Sequence, residues 1–257
     1  MKKITVLIVL FFALPAMSKT ISGEIKRETP RDKNIIYDVI NNSPVAGATV
    51  KLPSKHYSTI TDKDGTFQLG THIDAPTIMS VEKDGYKPYS ISLSSLENNP
   101  ISIGIEKTSP NDIIIETDVI HLGDDSYSYN SAHSYDFSLK SMGAFYSKEF
   151  RISPIKAEEN VILSIGSIIG IDTPQAIKLG QSNVRTSYSS PPEIFCNGNK
   201  IAEIKINGDN QKIHIPSAIL KGSDIVNITI KTGRNLFKQS SIDFDDIEFT
   251  NLILEIK

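Results

Sequence analysis

Residues 43–69 read SPVAGATVKLPSKHYSTITDKDGTFQL, and their punctuation decides the fold class. Pro44-Val45-Ala46-Gly47 is a turn, and Ala48 to Leu52 leaves it as a strand. Tyr57 to Thr61 alternates, as a half-buried strand does. Asp62-Lys63-Asp64-Gly65 is a second turn: aspartate side chains cap local amides, and glycine tolerates a positive φ. Thr66 to Leu69 then places Phe67 and Leu69 on one face.

The pattern continues on both sides. Thr20 to Ile25 and Asn34 to Ile40 read as strands before this stretch, separated by a charged loop holding Pro30. Thr77 to Val81, Tyr89 to Leu93 and Ile101 to Ile105 read as strands after it. Short strands at regular turn spacing predict a β-sandwich. The polar run Glu106 to Asp112, with Pro110, reads as a joint, with the linker proper at 108–112.

Beyond the joint the chain stays β-rich. Ile113 to Ile120, Tyr135 to Leu139, Phe145 to Ile152 and Val161 to Ile171 read as strands, the last one interrupted at Gly166 and Gly170. Glu193 to Cys196, Asn197-Gly198 and Lys200 to Ile206 read as a hairpin. Asn207-Gly208-Asp209 is a turn before Lys212 to Ile215, and Pro216 to Gly222 makes one helical turn. Val226 to Lys231 and Ile247 to Ile256 complete the set, and the apolar parity of the last strand shifts near Asn251, which predicts a bulge. The expected architecture is all-β: two sandwiches, 19–107 and 113–257, the second a jelly roll.

The first residues are of another kind. Met1-Lys2-Lys3 is basic, Ile4 to Leu14 is apolar except for Thr5, and Ala16 and Ser18 suit a cleavage site after Ser18. Residues 1–18 therefore read as a secretory signal peptide. The apolar run is too short for a membrane anchor, which needs about 20 residues, so a secreted or periplasmic protein without a transmembrane segment is expected. The lysine-rich, tryptophan-free usage looks bacterial.

Net charge is −3, so nothing favours nucleic acid as a partner. Cys196 is the one cysteine, which rules out an internal disulfide, and its neighbours supply no cation to activate a thiolate. No His-Glu-x-x-His, Gly-x-Ser-x-Gly or glycine-rich phosphate loop occurs, and the chain reads as non-enzymatic.

Pro44 to Val50, Thr61 to Phe67 and Lys83-Asp84-Gly85-Tyr86 resemble the carboxypeptidase regulatory-like family, a transthyretin-like sandwich, over about 75 residues. That resemblance implies an accessory module and brings no catalytic residues. The zinc pair of a metallocarboxypeptidase is missing, as is the tyrosine-arginine ending of transthyretin-like hydrolases, so His56 and His72 read as surface histidines. Ile194 to Thr232, with Asp243 to Phe249, resembles galactose-binding-like jelly rolls. Many such modules bind carbohydrate, and some hold a structural calcium between the first and last strands.

Two groups of side chains follow from that second resemblance. Asp124, Asp125, Asp243, Asp245 and Asp246 stand near the two ends of the second domain. If the ends meet, Asp124, Asp125, Asp245 and Asp246 become calcium ligands, since hard oxygens suit that ion; otherwise they are solvated turn residues. A glycosidase pair is a third reading of the same carboxylates. Tyr127, Tyr129 and Tyr135, with Tyr146 and Tyr188, read either as a sugar-stacking surface or as ordinary strand tyrosines. His121 and His133 bracket the same loop and fit no metal spacing.

The resulting expectation is an exported protein that recognises carbohydrate or an envelope glycan near Asp124 to Tyr135. The alternatives are a structural or adhesin-like component with a protein partner, and a glycan hydrolase.

Overall fold

A computed structural model describes residues 33–94, 100–125, 137–156, 158–182, 189–236 and 242–257. The expected leader, the strand at Thr20 to Ile25, and Tyr127, Tyr129, His133, Tyr135 and Tyr188 lie outside the described residues. Residues Asp32–Lys257 form one compact unit. Among the described residues no helix is long and apolar enough to cross a membrane.

The chain folds as an all-β sandwich protein. Its first seven strands are β1 (Asn34–Asp38), β2 (Thr49–Leu52), β3 (Tyr57–Ile60), β4 (Thr66–Phe67), β5 (Thr77–Glu82), β6 (Tyr89–Leu93) and β7 (Ser102–Ile105). They make two sheets, β4-β1-β7 and β3-β2-β5-β6. Ile36, Phe67, Ile103 and Ile105 of one sheet meet Val50, Leu52, Met79 and Val81 of the other in a single core. The turn at Asp62 is built as its residues dictate. The Asp62 carboxylate accepts from the backbone of Asp64 (2.9 Å) and Thr66 (2.8 Å) and from the Thr66 hydroxyl (2.6 Å). Gly65 sits at φ +70°, where a Cβ would stand 2.5 Å from the Ile36 carbonyl.

The next strands are β8 (Ile113–Glu116), β9 (Ile120–Leu122), β10 (Phe145–Arg151), β11 (Val161–Ile169), β12 (Glu193–Cys196), β13 (Asn199–Glu203), β14 (Gly208–Ile215), β15 (Ile225–Lys231) and β16 (Ile247–Ile256). One sheet runs β14-β11-β16-β8, with β9 also on β16; the other runs β10-β15-β12-β13. Leu163, Ile165, Phe249, Leu252 and Leu254 from the first pack on Ile194, Cys196, Val226, Ile228 and Ile230 from the second. Among the described strands, none of the first seven pairs with any of the last nine.

Two local readings need correction. Ile113 to Ile120 is two strands rather than one. The Glu116 carboxylate accepts from the backbone of Thr117 (3.1 Å) and Asp118 (3.2 Å), and Thr250 Oγ1 donates to both of those residues' carbonyls, so the chain steps out of the ladder there. Residues 137–139 carry no strand. A short helix, α1 (Pro174–Lys178), follows Thr173, whose hydroxyl caps the Ala176 amide at 3.2 Å; the helical turn expected from Pro216 to Gly222 is present as α2 (Ser217–Leu220).

The parity shift in β16 is real and is shared by its neighbour. Ile247 and Phe249 point into the core, then Leu252 and Leu254 do, with Asn251 between them at φ +57°. In β11 the core residues change from Leu163 and Ile165 to Ile168 across Gly166. Gly166 falls opposite Asn251 in the paired register, so both strands turn over together. This step lies against the first sandwich: a Cβ on Gly166 would be 2.4 Å from Ser90 Oγ. Around it, Ser167 Oγ donates to Ser90 Oγ (2.9 Å), and the Asp209 carboxylate accepts from Ser167 Oγ (2.7 Å) and the Ser92 amide (2.9 Å). The expected linker is pinned as well: Thr108 N donates to Gly85 O, and Asp112 pairs with Lys87 at 3.2 Å.

Candidate functional site

The two ends of the second sandwich meet, because β9 pairs antiparallel with the start of β16, placing His121 opposite Glu248 and Leu122 opposite Ile247. The acidic residues that flank these strands are thereby gathered, although not all into one place. Asp246 Oδ1 lies 3.1 Å from His121 Nε2 and accepts from the Asp125 amide at 3.2 Å. Gly123, at φ +152°, allows this approach: a Cβ there would fall 1.9 Å from Asp246 Oδ1. Asp124 and Asp245 serve the backbone instead, accepting from Phe244 N (3.1 Å) and Asp172 N (3.3 Å) respectively. Asp243 receives the Asn235 side chain at 3.1 Å. Asp243, Asp245 and Asp246 are buried, so they are not the solvated turn residues of the simpler reading.

The electrostatics of this knot centre on His121. Its Nδ1 faces the Leu139 carbonyl at 2.5 Å, and a carbonyl only accepts, so that nitrogen carries a proton. Burial opposes a charged ring, but the Asp246 hydrogen bond, the Leu139 carbonyl and the charges of Asp246 and Glu248 outweigh it and raise the His121 pKa. Phe137 stands edge-on to the imidazole at 5.0 Å. Glu248 is buried, its Oε1 finds no partner among the described residues, and burial pushes its carboxyl up to about 7 against the opposing pull of His121.

As a metal centre the knot offers one ring nitrogen and two carboxylates. His121, Asp125 and Asp246 can each turn a ligand atom to a common point, within 4.8 Å of one another. Calcium takes roughly 6–8 oxygens, which carboxylates share with backbone carbonyls and waters. Of the other two expected ligands, Asp124 and Asp245, each has its Oδ2 accepting from an amide. The His121 ring and the Asp125 amide both meet Asp246 Oδ1, which ties β9 to the start of β16 as a structural latch.

The open surface lies beside it. A groove of about 590 Å³ runs over the end of the β10-β15-β12 sheet, lined by Phe145, Lys231, Glu193, Arg234, Leu236 and Phe244. Its floor follows from register: Phe145, Lys231 and Glu193 stand side by side across three strands. Outward positions of these strands alternate with core positions, so Phe145 is 60% exposed while its neighbour Tyr146 is buried. The walls are tied by backbone pairs between Ser190 and Arg234 and between Arg234 and Phe244. Phe244 also connects the groove to the latch, through the amide it gives to Asp124.

Several expected residues are placed elsewhere. Tyr146 is a core residue: its hydroxyl donates to Glu116 at 2.9 Å and its ring meets Phe249 edge-on. Cys196 is buried, and burial pushes its thiol up to about 11, which makes it inert. His56 and His72 are exposed. Phe145, Phe244, Lys231 and Arg234 were not singled out from sequence. The signal for Phe145 was the outward phase of β10 set by its neighbours; nothing local marks Phe244 or Arg234.

No family model matches the chain, and no curated protein matches its sequence.

Proposed function

We propose that this is an exported glycan-binding protein whose contact face is the groove over the β10-β15-β12 sheet. The row Phe145, Lys231 and Glu193 carries the reading. An exposed aromatic ring offers a face to the apolar side of a sugar. The neighbouring ammonium, carboxylate and Thr229 hydroxyl offer donors and acceptors to its hydroxyls, and the groove is within the size range of small-ligand sites. The paired backbone of the walls supports a preformed surface, which lowers the ordering cost of binding. Calcium has no part in this reading. The expected leader at 1–18 is the ground for placing the protein outside the cytoplasm.

A diverse glycan array followed by calorimetry tests it. At least one glycan should bind, and Phe145→Ala should weaken that binding about tenfold, equivalent to about 1.4 kcal/mol. Absence of binding to every glycan at millimolar concentration would sink the reading. A second reading, docking of a protein partner, draws on Leu236, which stands 62% exposed on the groove rim. It predicts a partner whose capture is lost in Leu236→Ser while the glycan array stays blank.

A further inference from the structure

The groove over the β10-β15-β12 sheet is unevenly charged. Lys231 and Arg234 both line it, and both are exposed. Lys231 closes β15, and Arg234 follows just past its end, held by backbone pairs to Ser190 and Phe244. Neither side chain forms an ion pair among the described residues. The Lys231 ammonium lies 4.5 Å from the centre of the Phe195 ring, a contact that leaves its charge in place. Glu193, the carboxylate of the lining, is answered from outside the groove: Lys200 holds it at 2.6 Å. The acidic residues beside Phe244 are buried. Asp243 accepts from Asn235 Nδ2 (3.1 Å), and Asp245 Oδ2 accepts from the Asp172 amide (3.3 Å).

That balance narrows the ligand. A neutral sugar accepts ordinary hydrogen bonds from an ammonium or a guanidinium and leaves both positive charges unanswered. A sugar carrying a carboxylate or a sulfate forms charge-assisted bonds with them, roughly twice as strong as neutral ones. The guanidinium of Arg234 suits such an oxyanion, because its planar fork meets two oxygens at once. Phe145, 60% exposed and opposite Lys231 across the β10–β15 ladder, offers its face to the ring that bears the anion. The chain's net charge of −3 does not oppose this, since exposed charges more than about 8 Å apart are largely screened at physiological salt.

We propose that the groove selects acidic glycans, with Arg234 and Lys231 receiving the anionic group and Phe145 stacking on the sugar ring that carries it. The inference rests on the groove being the glycan-contact face, and it adds the charge of the ligand to that reading. Arg234 and Lys231 thereby determine specificity: without them an acidic glycan loses its advantage over its uncharged counterpart.

The test is calorimetric titration of the full chain with matched pairs of probes. Oligogalacturonate, oligomannuronate and sialyllactose are each set beside their methyl esters, and a sulfated galactan oligomer beside its desulfated form. At least one acidic member should bind about tenfold more tightly than its uncharged counterpart, and whether it is a carboxylate or a sulfate identifies the source of the anion. Arg234→Gln should weaken the acidic member about tenfold and change the uncharged one less than about twofold. Raising NaCl from about 50 to about 500 mM should weaken the acidic member several-fold and leave the uncharged one alone. Lys221→Gln removes an equal charge from an exposed position outside the groove and should change neither. Equal affinities within every pair overturn the proposal. So does an acidic preference that Lys221→Gln lowers as much as Arg234→Gln does. Uncharged glycans that bind as well as acidic ones and are lost in Phe145→Ala would leave the groove's glycan role standing, whereas no binding by any probe or on the array removes both.

Discussion

Strands β15 and β16 belong to the same sandwich and obey the same alternation, yet they end in different surroundings. In β15, Val226, Ile228 and Ile230 enter the core while Ile225 and Lys231 face outward into solvent. In β16 the residues from Ile247 to Glu255 are all buried, Glu248, Thr250, Asn251 and Glu255 included. The difference arises on the side away from the core. The outer face of β15 is open and forms the groove, whereas the outer face of β16 is covered by the first sandwich and by the turn after β9. Alternation therefore identifies the face that meets the core and leaves open what the other face meets. Polar residues on a covered face cannot turn to solvent, and the latch lies along this face of β16.

The contrast can be broken by substitution. Leu163→Ala, at a fully buried core position of β11, should lower stability by about 3–4 kcal/mol by urea unfolding. Ile225→Ala, on the open face of β15, should cost less than about 0.5 kcal/mol. Equal losses at the two positions would mean that the open face is covered after all.

The covered face should also make stability depend on pH. The folded-state pKa of Glu248, about 7, stands above the ordinary value of 4.5, so its contribution is complete below about pH 4.5 and is lost as pH rises through about 7. The size of that shift corresponds to about 3 kcal/mol. His121, also raised, acts in the same direction, its contribution lost as pH rises through its folded-state pKa. The midpoint of urea unfolding should fall between pH 5 and 8 by an amount on this order, and Glu248→Gln should flatten the curve. A profile for the variant that matches the parent would remove Glu248 as the cause.

Smaller effects sharpen the picture. Asp62→Ala removes three hydrogen bonds from an exposed turn and should lower the urea midpoint, by less than Leu163→Ala does. Calcium or EDTA should leave the Tm of the protein unchanged, because a ligand stabilises only a site that the folded state presents to it. A reversible rise of several degrees with calcium would show that the latch opens to a metal and that His121 gives way.

What the sequence made legible was local chemistry. The Asp62 to Gly65 turn, the Asn197-Gly198 hairpin with both residues at positive φ, and the parity shift at Asn251 all stand as read. Each depends on residues a few positions apart. The break after Glu116 was hidden because it depends on Thr250, far along the chain. The helix at Pro174 had its signal, a Thr-Pro pair at the start, in a stretch whose apolar residues are too few to show a period. The approach of Asp125 and Asp246 was anticipated through resemblance alone, and the entry of His121 between them followed from a register that no local pattern encodes. The groove is assembled from strands far apart in sequence, so its lining became readable only with the sheets in place.

The position of β16 has a consequence for how the protein acquires its structure. This strand pairs with β11, β8 and β9, and lies at the middle of its sheet, yet it follows all of them in the chain. The sheet therefore cannot close while the ribosome is still making residues 113–246. Its contacts span long sequence separations, which slows folding and leaves the unpaired edges of β8 and β11 exposed in the meantime. Until residue 256 has emerged this sheet stays open, and its edges are exposed to aggregation in that interval.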